Sequence, residues 1–260
     1  MKDERAAFEA AVSAEMARSG SCVSRFILLD ETPSTQDAAR IMCGGEPGLL
    51  VVALRQTHGR GRLGRGWADT SQLGLAATFV LPGTFAPDVL SIACGLASLR
   101  ACDAFHAKPD DVIGVRWPND VVVTRAGARE RKMSGVLIER SNDLYFAGIG
   151  INVLQRESDF PPDLREKATS LSMLGAKATR SQVCSKLVTE LSQALAATAE
   201  QLSKQWRRRD VLVGSRRAFV FNGERFEGTV RSIDPSGAIA LETAEGSISL
   251  PAISTSMIHE

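Results

Sequence analysis

The stretch from about residue 86 to residue 105 is almost wholly apolar, and a helix of that length with no polar face has to be covered on most sides. Only a chain with a sizeable core can do this. The 260 residues allow one large domain, or a large domain with a small one, and 44% apolar against 23% charged residues is ordinary for a soluble globular protein. Lys and Arg total 31 against 30 Asp and Glu, so net charge draws the chain to neither nucleic acid nor membrane, and any basic function is local. No run approaches the roughly 18 apolar residues of a spanning helix. The N-terminus carries acids where a signal peptide has its apolar segment. The cysteines, Cys22, Cys43, Cys94, Cys102 and Cys184, are scattered and form no CxxC pair, so a cytoplasmic setting is expected.

Around that helix the pattern alternates. Residues 3–18 predict a short amphipathic helix and 23–29 a strand. Thr32-Pro33-Ser34 then breaks the chain before a helix that runs through Met42 and stops at Gly44-Gly45. Residues 49–54 and 75–81 predict buried strands, and 120–125, 133–140 and 144–153 predict three strands joined by the short polar connections 126–131 and 141–143. Ser181 can cap a second long helix with Val183, Leu187, Leu191, Leu195, Leu202 and Trp206 along one side. From Arg217 onward short strands with turns at Asn222-Gly223 and Asp234-Pro-Ser-Gly237 predict a small all-β module. A boundary is therefore expected near Val211–Ser215, dividing 1–213, with its N-terminal helix in 1–22, from 214–260.

The densest chemical signal is Gln56-Thr-His-Gly-Arg-Gly-Arg-Leu-Gly-Arg-Gly-Trp67. Four glycines in eight residues free the backbone, and Arg60, Arg62 and Arg65 bring fixed positive charge with no acid between Glu46 and Asp69. Such a loop, directly after a buried strand, suits an anionic ligand, although it is no Walker phosphate loop. Arg116-Trp-Pro-Asn-Asp120 offers paired polar groups at a strand start, or simply a turn with side-chain hydrogen bonds. In Arg131-Lys-Met-Ser-Gly-Val-Leu-Ile-Glu139, Lys132 opens an apolar strand and either reaches inward or stays solvated. Gly148 and Gly150, inside a strand, imply a bulge or a close approach, and Asn152 beside them needs partners if buried. Ser34 with Asp37 reads as a capping box, which leaves Thr35 and Gln36 at a helix start where a polar ligand can be received.

Taken in order, these segments resemble the biotin–protein ligases: Ser34-Thr-Gln36 after a strand, the Gln56–Trp67 run, Arg116–Asp120, Arg131–Glu139 and Gly148-Ile-Gly-Ile-Asn-Val153. The resemblance is continuous from about Leu28 to Val153 and resumes over Arg217–Glu242. It implies an α+β fold, a class II synthetase-like mixed sheet flanked by helices, followed by a small SH3-like β-barrel. It implies adenylation of biotin by ATP with Mg²⁺ carried on the phosphates, and transfer to a lysine of a biotin carboxyl carrier protein or domain. In that setting Ser34, Thr35, Gln36 and Gln56 would bind the ureido side of biotin, and Trp67 would be an apolar wall. Arg60, Gly61 and Arg62 would close over the carboxylate and phosphates. Lys132 would hold the carboxylate and α-phosphate, and Gly135 would allow close backbone approach to biotin. Asn152 would meet the adenine side, and Arg65, Arg116 and Asn119 would lie along ATP. Lys132, Arg62 and Asp120 would be the catalytic group, Asp120 orienting the acceptor amine or taking its proton.

Three departures from the family pattern stand out. Arg55 and His58 occupy positions more often filled by an uncharged or acidic residue and a small one. Arg116 replaces a frequent lysine, and only about two dozen residues precede the ligase pattern, so no DNA binding or repressor activity is expected. No membrane partner is expected either, and the state is monomer or homodimer. The nearest rival is a lipoate or octanoate ligase, whose long acyl tail would want an apolar tunnel where this chain has Gln36 and Gln56. An RNA-binding module is disfavoured, because residues 215–260 carry four basic and six acidic side chains and aromatics are only 5% of the chain.

Overall fold

A computed structural model describes residues 2–68, 72–235, 237–252 and 254–258. Strand β1 (Arg25–Thr32), helix α2 (Thr35–Met42) and strand β2 (Leu49–Gln56) form a parallel crossover unit, preceded by helix α1 (Lys2–Met16). Strand β3 (Gly74–Pro82), helix α3 (Pro87–Asp103) and strands β4 (Val112–Arg116), β5 (Asp120–Thr124), β6 (Arg131–Ser141) and β7 (Leu144–Asn152) complete a mixed sheet in the order β1-β2-β3-β7-β6-β5-β4. Every pairing after β1–β2 is antiparallel. Helices α4 (Arg180–Leu195) and α5 (Ala199–Arg209) follow. A separate antiparallel sheet then comprises β8 (Arg216–Phe221), β9 (Glu224–Asp234), β10 (Ala238–Thr243), β11 (Gly246–Pro251) and β12 (Thr255–Met257), ordered β11-β10-β9-β8-β12.

Side-chain alternation splits the large sheet between two cores. Leu50, Val52 and Leu54 of β2 join the main core with α3 and α4, whereas Leu49 and Val51 turn to the other face and pack with Ala38, Ala39 and Cys43. The apolar α3 is thus buried, as its sequence demands. The Asn222-Gly223 turn has φ of 52° and 82°, which suits a tight hairpin between β8 and β9. Of the other expected turn, Gly237 N donates to the Asp234 carbonyl at 3.1 Å, while Ser236 lies outside the described residues.

Several local expectations need correction. The second long helix is two, because a break after Leu195 lets Thr198 start α5 with a capping box to Gln201. Thr179, not Ser181, caps α4, pairing reciprocally with Gln182. Ser34 occupies the N-cap position of α2 without a side-chain capping bond, and the carboxylate of Asp37, the other half of the expected box, is held by Arg60 and Arg40. Strand β4 was not expected at all.

Candidate functional site

The C-terminal ends of β1 and β2 deliver the start of α2 and the Gly/Arg loop to one place, where a cavity of about 180 Å³ opens. Its polar wall is built from fixed groups. Thr35 donates to Gln56 Oε1 through its backbone N (2.7 Å) and its hydroxyl (3.0 Å), and Thr78 donates to the Thr35 hydroxyl at 2.9 Å. Gln36 donates to the carbonyls of Leu137 (2.9 Å) and Phe146 (3.1 Å), bracing the sheet. The glycines of β7 permit this packing. A Cβ on Gly150 would stand 2.5 Å from the Trp67 ring, and one on Gly148 would stand 2.9 Å from the Gln36 amide.

The loop itself is a narrow hairpin. Trp67 N donates to the Gly59 carbonyl at 2.9 Å and Gly61 N to the Arg65 carbonyl at 2.7 Å, which leaves Arg62–Gly64 as its tip. Leu63 there has φ 55° and is 57% exposed, an unusual backbone for a branched apolar residue. Its arginines diverge. Arg62 donates to the carbonyl of Ala252, beyond β11, and burial lowers its pKa against the opposing charge of Asp120. Arg65 stays exposed at the rim. Arg60 lines the cavity, with its guanidinium held by both Asp37 oxygens (2.7 and 2.9 Å) and by Glu139 (2.9 Å). These pairs clamp the loop base to α2 and β6.

The charged end is formed by β5 and β6. Their register slips at Met133, and such a bulge re-aims neighbouring side chains. Lys132 Nζ lies 2.5 Å from Asp120 Oδ1 and 5.7 Å from the centre of the Trp67 ring. Arg116 Nη2 donates to Asp120 Oδ2 at 2.8 Å. Burial alone would raise the Asp120 carboxyl, but Lys132 and Arg116 outweigh it and hold it at about 2. Asp120 is therefore held as a carboxylate between two cations at the charged end of the cavity. Asn119 donates to the Val136 carbonyl at 2.6 Å, fixing the segment after the cis Trp117–Pro118 bond.

A second cavity, of about 670 Å³, adjoins the first and shares Trp67, Arg116 and Lys132 with it. Asn152 lines this one alone, alongside the apolar Phe160 and Leu164. Its amide donates to the Thr169 carbonyl at 3.0 Å, so it also ties that wall to β7. Sequence reasoning missed the contribution of the C-terminal sheet: Thr255, Ser256 and Met257 of β12 line the first cavity. Nothing in Thr-Ser-Met marks a site, and only the fold brings it there.

The biotin/lipoate A/B protein ligase family model matches residues 30–153. A biotin–acetyl-CoA-carboxylase ligase of Mycobacterium tuberculosis is 35% identical over 78% of this chain and 77% of its own length. The bifunctional ligase/repressor BirA of Bacillus spizizenii is 30% identical over 85% of this chain and 70% of its own. The biotin protein ligase of Aquifex aeolicus, solved in complex with biotin and ATP, is 28% identical and superposes with a TM-score of 0.77 over 91% of this chain and 99% of that one. Sequence, site and fold agree, and the chain belongs to the biotin–protein ligases of the biotin/lipoate A/B protein ligase family.

Proposed function

We propose that the protein activates biotin with ATP to biotinyl-5′-AMP and then transfers the biotinyl group to a lysine of a biotin carboxyl carrier protein or domain. The observation that carries this reading is the seam between the cavities, where Lys132, Arg116 and Trp67 belong to both. The smaller cavity takes the biotin head group against Ser34, Thr35, Gln56 and Trp67, with Gly135 leaving room beside it. The larger takes the nucleotide, its base toward Phe160, Leu164 and Asn152.

In the first step a biotin carboxylate oxygen attacks the α-phosphorus and the bond to pyrophosphate breaks. The reactants are two anions that repel, and Lys132 with Arg62 holds them together and stabilises charge developing between them. The ammonium of Lys132 has three donors, and those it turns to the substrate compete with its contact to Asp120. In the second step the neutral acceptor amine adds to the acyl carbon, the bond to AMP breaks, and the nitrogen sheds a proton, with Asp120 orienting the amine or taking that proton. Mg²⁺ would enter on the triphosphate and screen its charge; among the described residues Asp120 is the only acid lining the small cavity, and no cluster of three metal-binding side chains is found. The cysteines are all free thiols, which fits a reducing cytoplasm, and no helix among the described residues is long and apolar enough to cross a membrane.

The test is incubation with ATP, Mg²⁺, a carrier domain and either labelled biotin or labelled lipoate. Biotin is expected to label the carrier, with lipoate a poor substitute. Faster labelling by lipoate at equal concentration would transfer the protein to the lipoate side of its family.

A further inference from the structure

Behind Lys132 the charges continue. Arg116 is only 6% exposed, and besides Asp120 it meets a second carboxylate, Glu130, at 3.4 Å. Glu130 in turn pairs with Arg217 from β8 of the C-terminal sheet. Lys132, Asp120, Arg116, Glu130 and Arg217 thus form one row of alternating sign that starts in the biotin cavity and ends on the other sheet. In the sequence Glu130 is only part of a polar hairpin connection, and Arg217 only the first residue of a strand.

We propose that Arg217 is a positioning residue for Lys132, acting through Glu130, Arg116 and Asp120 to set how readily Lys132 leaves Asp120 when a substrate anion arrives. The guanidinium of Arg116 is divided between two carboxylates. Arg217 satisfies one of them, Glu130, and so leaves more of Arg116 for Asp120. Asp120, better satisfied, holds Lys132 less tightly. Removing Arg217 reverses each step: Glu130 draws Arg116 away, and Asp120 fastens on Lys132. Removing Glu130 has the opposite sign, because Arg116 then serves Asp120 alone. Asp120, Arg116 and Glu130 in the middle of the row are largely desolvated and screened little, whereas Lys132 and Arg217 at its ends are about a third exposed, which moderates the coupling. The step that Lys132 serves rests on the ligase reading, whereas the pairing is a property of the protein alone.

Both levels can be measured. In the ligand-free protein, limited reductive methylation with formaldehyde and cyanoborohydride, followed by mass spectrometry, reports the accessibility of Lys132, with the other lysines as internal reference. Arg217→Gln is expected to slow Lys132 methylation about threefold to tenfold, and Glu130→Gln to speed it by a similar factor, the range of ordinary pairwise couplings. Arg217→Lys, which keeps the charge, should recover most of the effect. Arg217 also stands in the wall of the larger cavity, so kcat and KM are read apart: Arg217→Gln should lower kcat for biotin-dependent pyrophosphate exchange by a similar factor, with a smaller change in KM for ATP. A merely structural role would move Lys132 in the same direction in both variants, and that result overturns the proposal. So does a raised KM for ATP with Lys132 methylation unaltered, which would make Arg217 a nucleotide contact. If methylation follows the opposite signs but the wild-type protein exchanges no pyrophosphate with biotin, the ligase reading fails and the row of charges stands.

Discussion

At Asp120 two forces oppose each other. Burial favours the neutral acid, but Lys132 at 2.5 Å and Arg116 at 2.8 Å favour the carboxylate and win, placing the group at about 2 against 3.8 for a free side chain. A pKa lowered by folding contributes stability that is complete above the unfolded value and disappears as pH falls through the folded one. The contribution, on the order of 2 kcal/mol, should therefore be present above about pH 4 and fade toward pH 2. Asp120→Asn should lose that stability at pH 7 and show a flatter acid limb in urea unfolding between roughly pH 5 and pH 2. An acid limb as steep as that of the wild type would mean that other carboxylates dominate it. At this scale much of the site is legible in the sequence: apart from Asn152, the residues expected from the motifs all line the first cavity, because the motifs lie at the ends of β1, β2 and β4 and along β6, which face it. Arg60 was legible as a cavity residue but not in its pairing. Its partners Asp37 and Glu139 stand 23 and 79 residues away, and a charge in a sequence does not name the charge it will meet.

The Gly/Arg loop is the element whose behaviour matters most. Its base is pinned by Arg60 to α2 and β6, and at its tip Arg62 reaches the Ala252 carbonyl. A phosphate or acyl phosphate is a stronger partner for a guanidinium than a neutral carbonyl, and we propose that Arg62 exchanges one for the other when the intermediate forms. Arg62→Gly removes that charge-assisted contact, worth roughly 1.5–3 kcal/mol, and loosens the tip. Retention of biotinyl-5′-AMP should weaken by about tenfold to a hundredfold. The variant should then acylate bystander lysines, for example on serum albumin, while the wild type labels its carrier domain almost alone. Equal bystander labelling, with adenylation still measurable in the variant, would show that Arg62 does not retain the intermediate. Among elements, the strands that carry motifs were legible from their apolar runs and bounding turns. Strand β4 was not, because Val112-Ile-Gly-Val-Arg116 is short, holds a glycine and merges into the next motif. The α4–α5 break was hidden because the apolar spacing from Val183 to Trp206 carries across it, and only the capping pair Thr198 and Gln201 betrays the restart.

Across the whole molecule the two sheets are bound into one core. Trp117, in the cavity wall, packs edge-on against Phe219 of β8 with ring centres 6.3 Å apart, and buried contacts continue into Val230, Ile239 and Leu241. We propose that the expected division between 1–213 and 214–260 is a boundary between sheets and not between independently stable units. Phe219 is the keystone on this reading. It is fully buried, it holds Trp117 on one side, and on the other it pairs in register with Met257, which lines both cavities. Truncating a buried phenylalanine to alanine costs about 3–5 kcal/mol through lost burial and the cavity left behind. In Phe219→Ala that loss should appear in a single unfolding transition, with tryptophan fluorescence and far-UV circular dichroism moving together. Adenylation should fall as well, because the same deletion loosens Arg116–Asp120 from one side and Thr255–Met257 from the other. Phe219→Leu, which refills most of the volume, should recover most of both. Two separate transitions in Phe219→Ala, with the catalytic sheet melting where it does in the wild type, would show that the C-terminal sheet only leans on the site and does not help to build it.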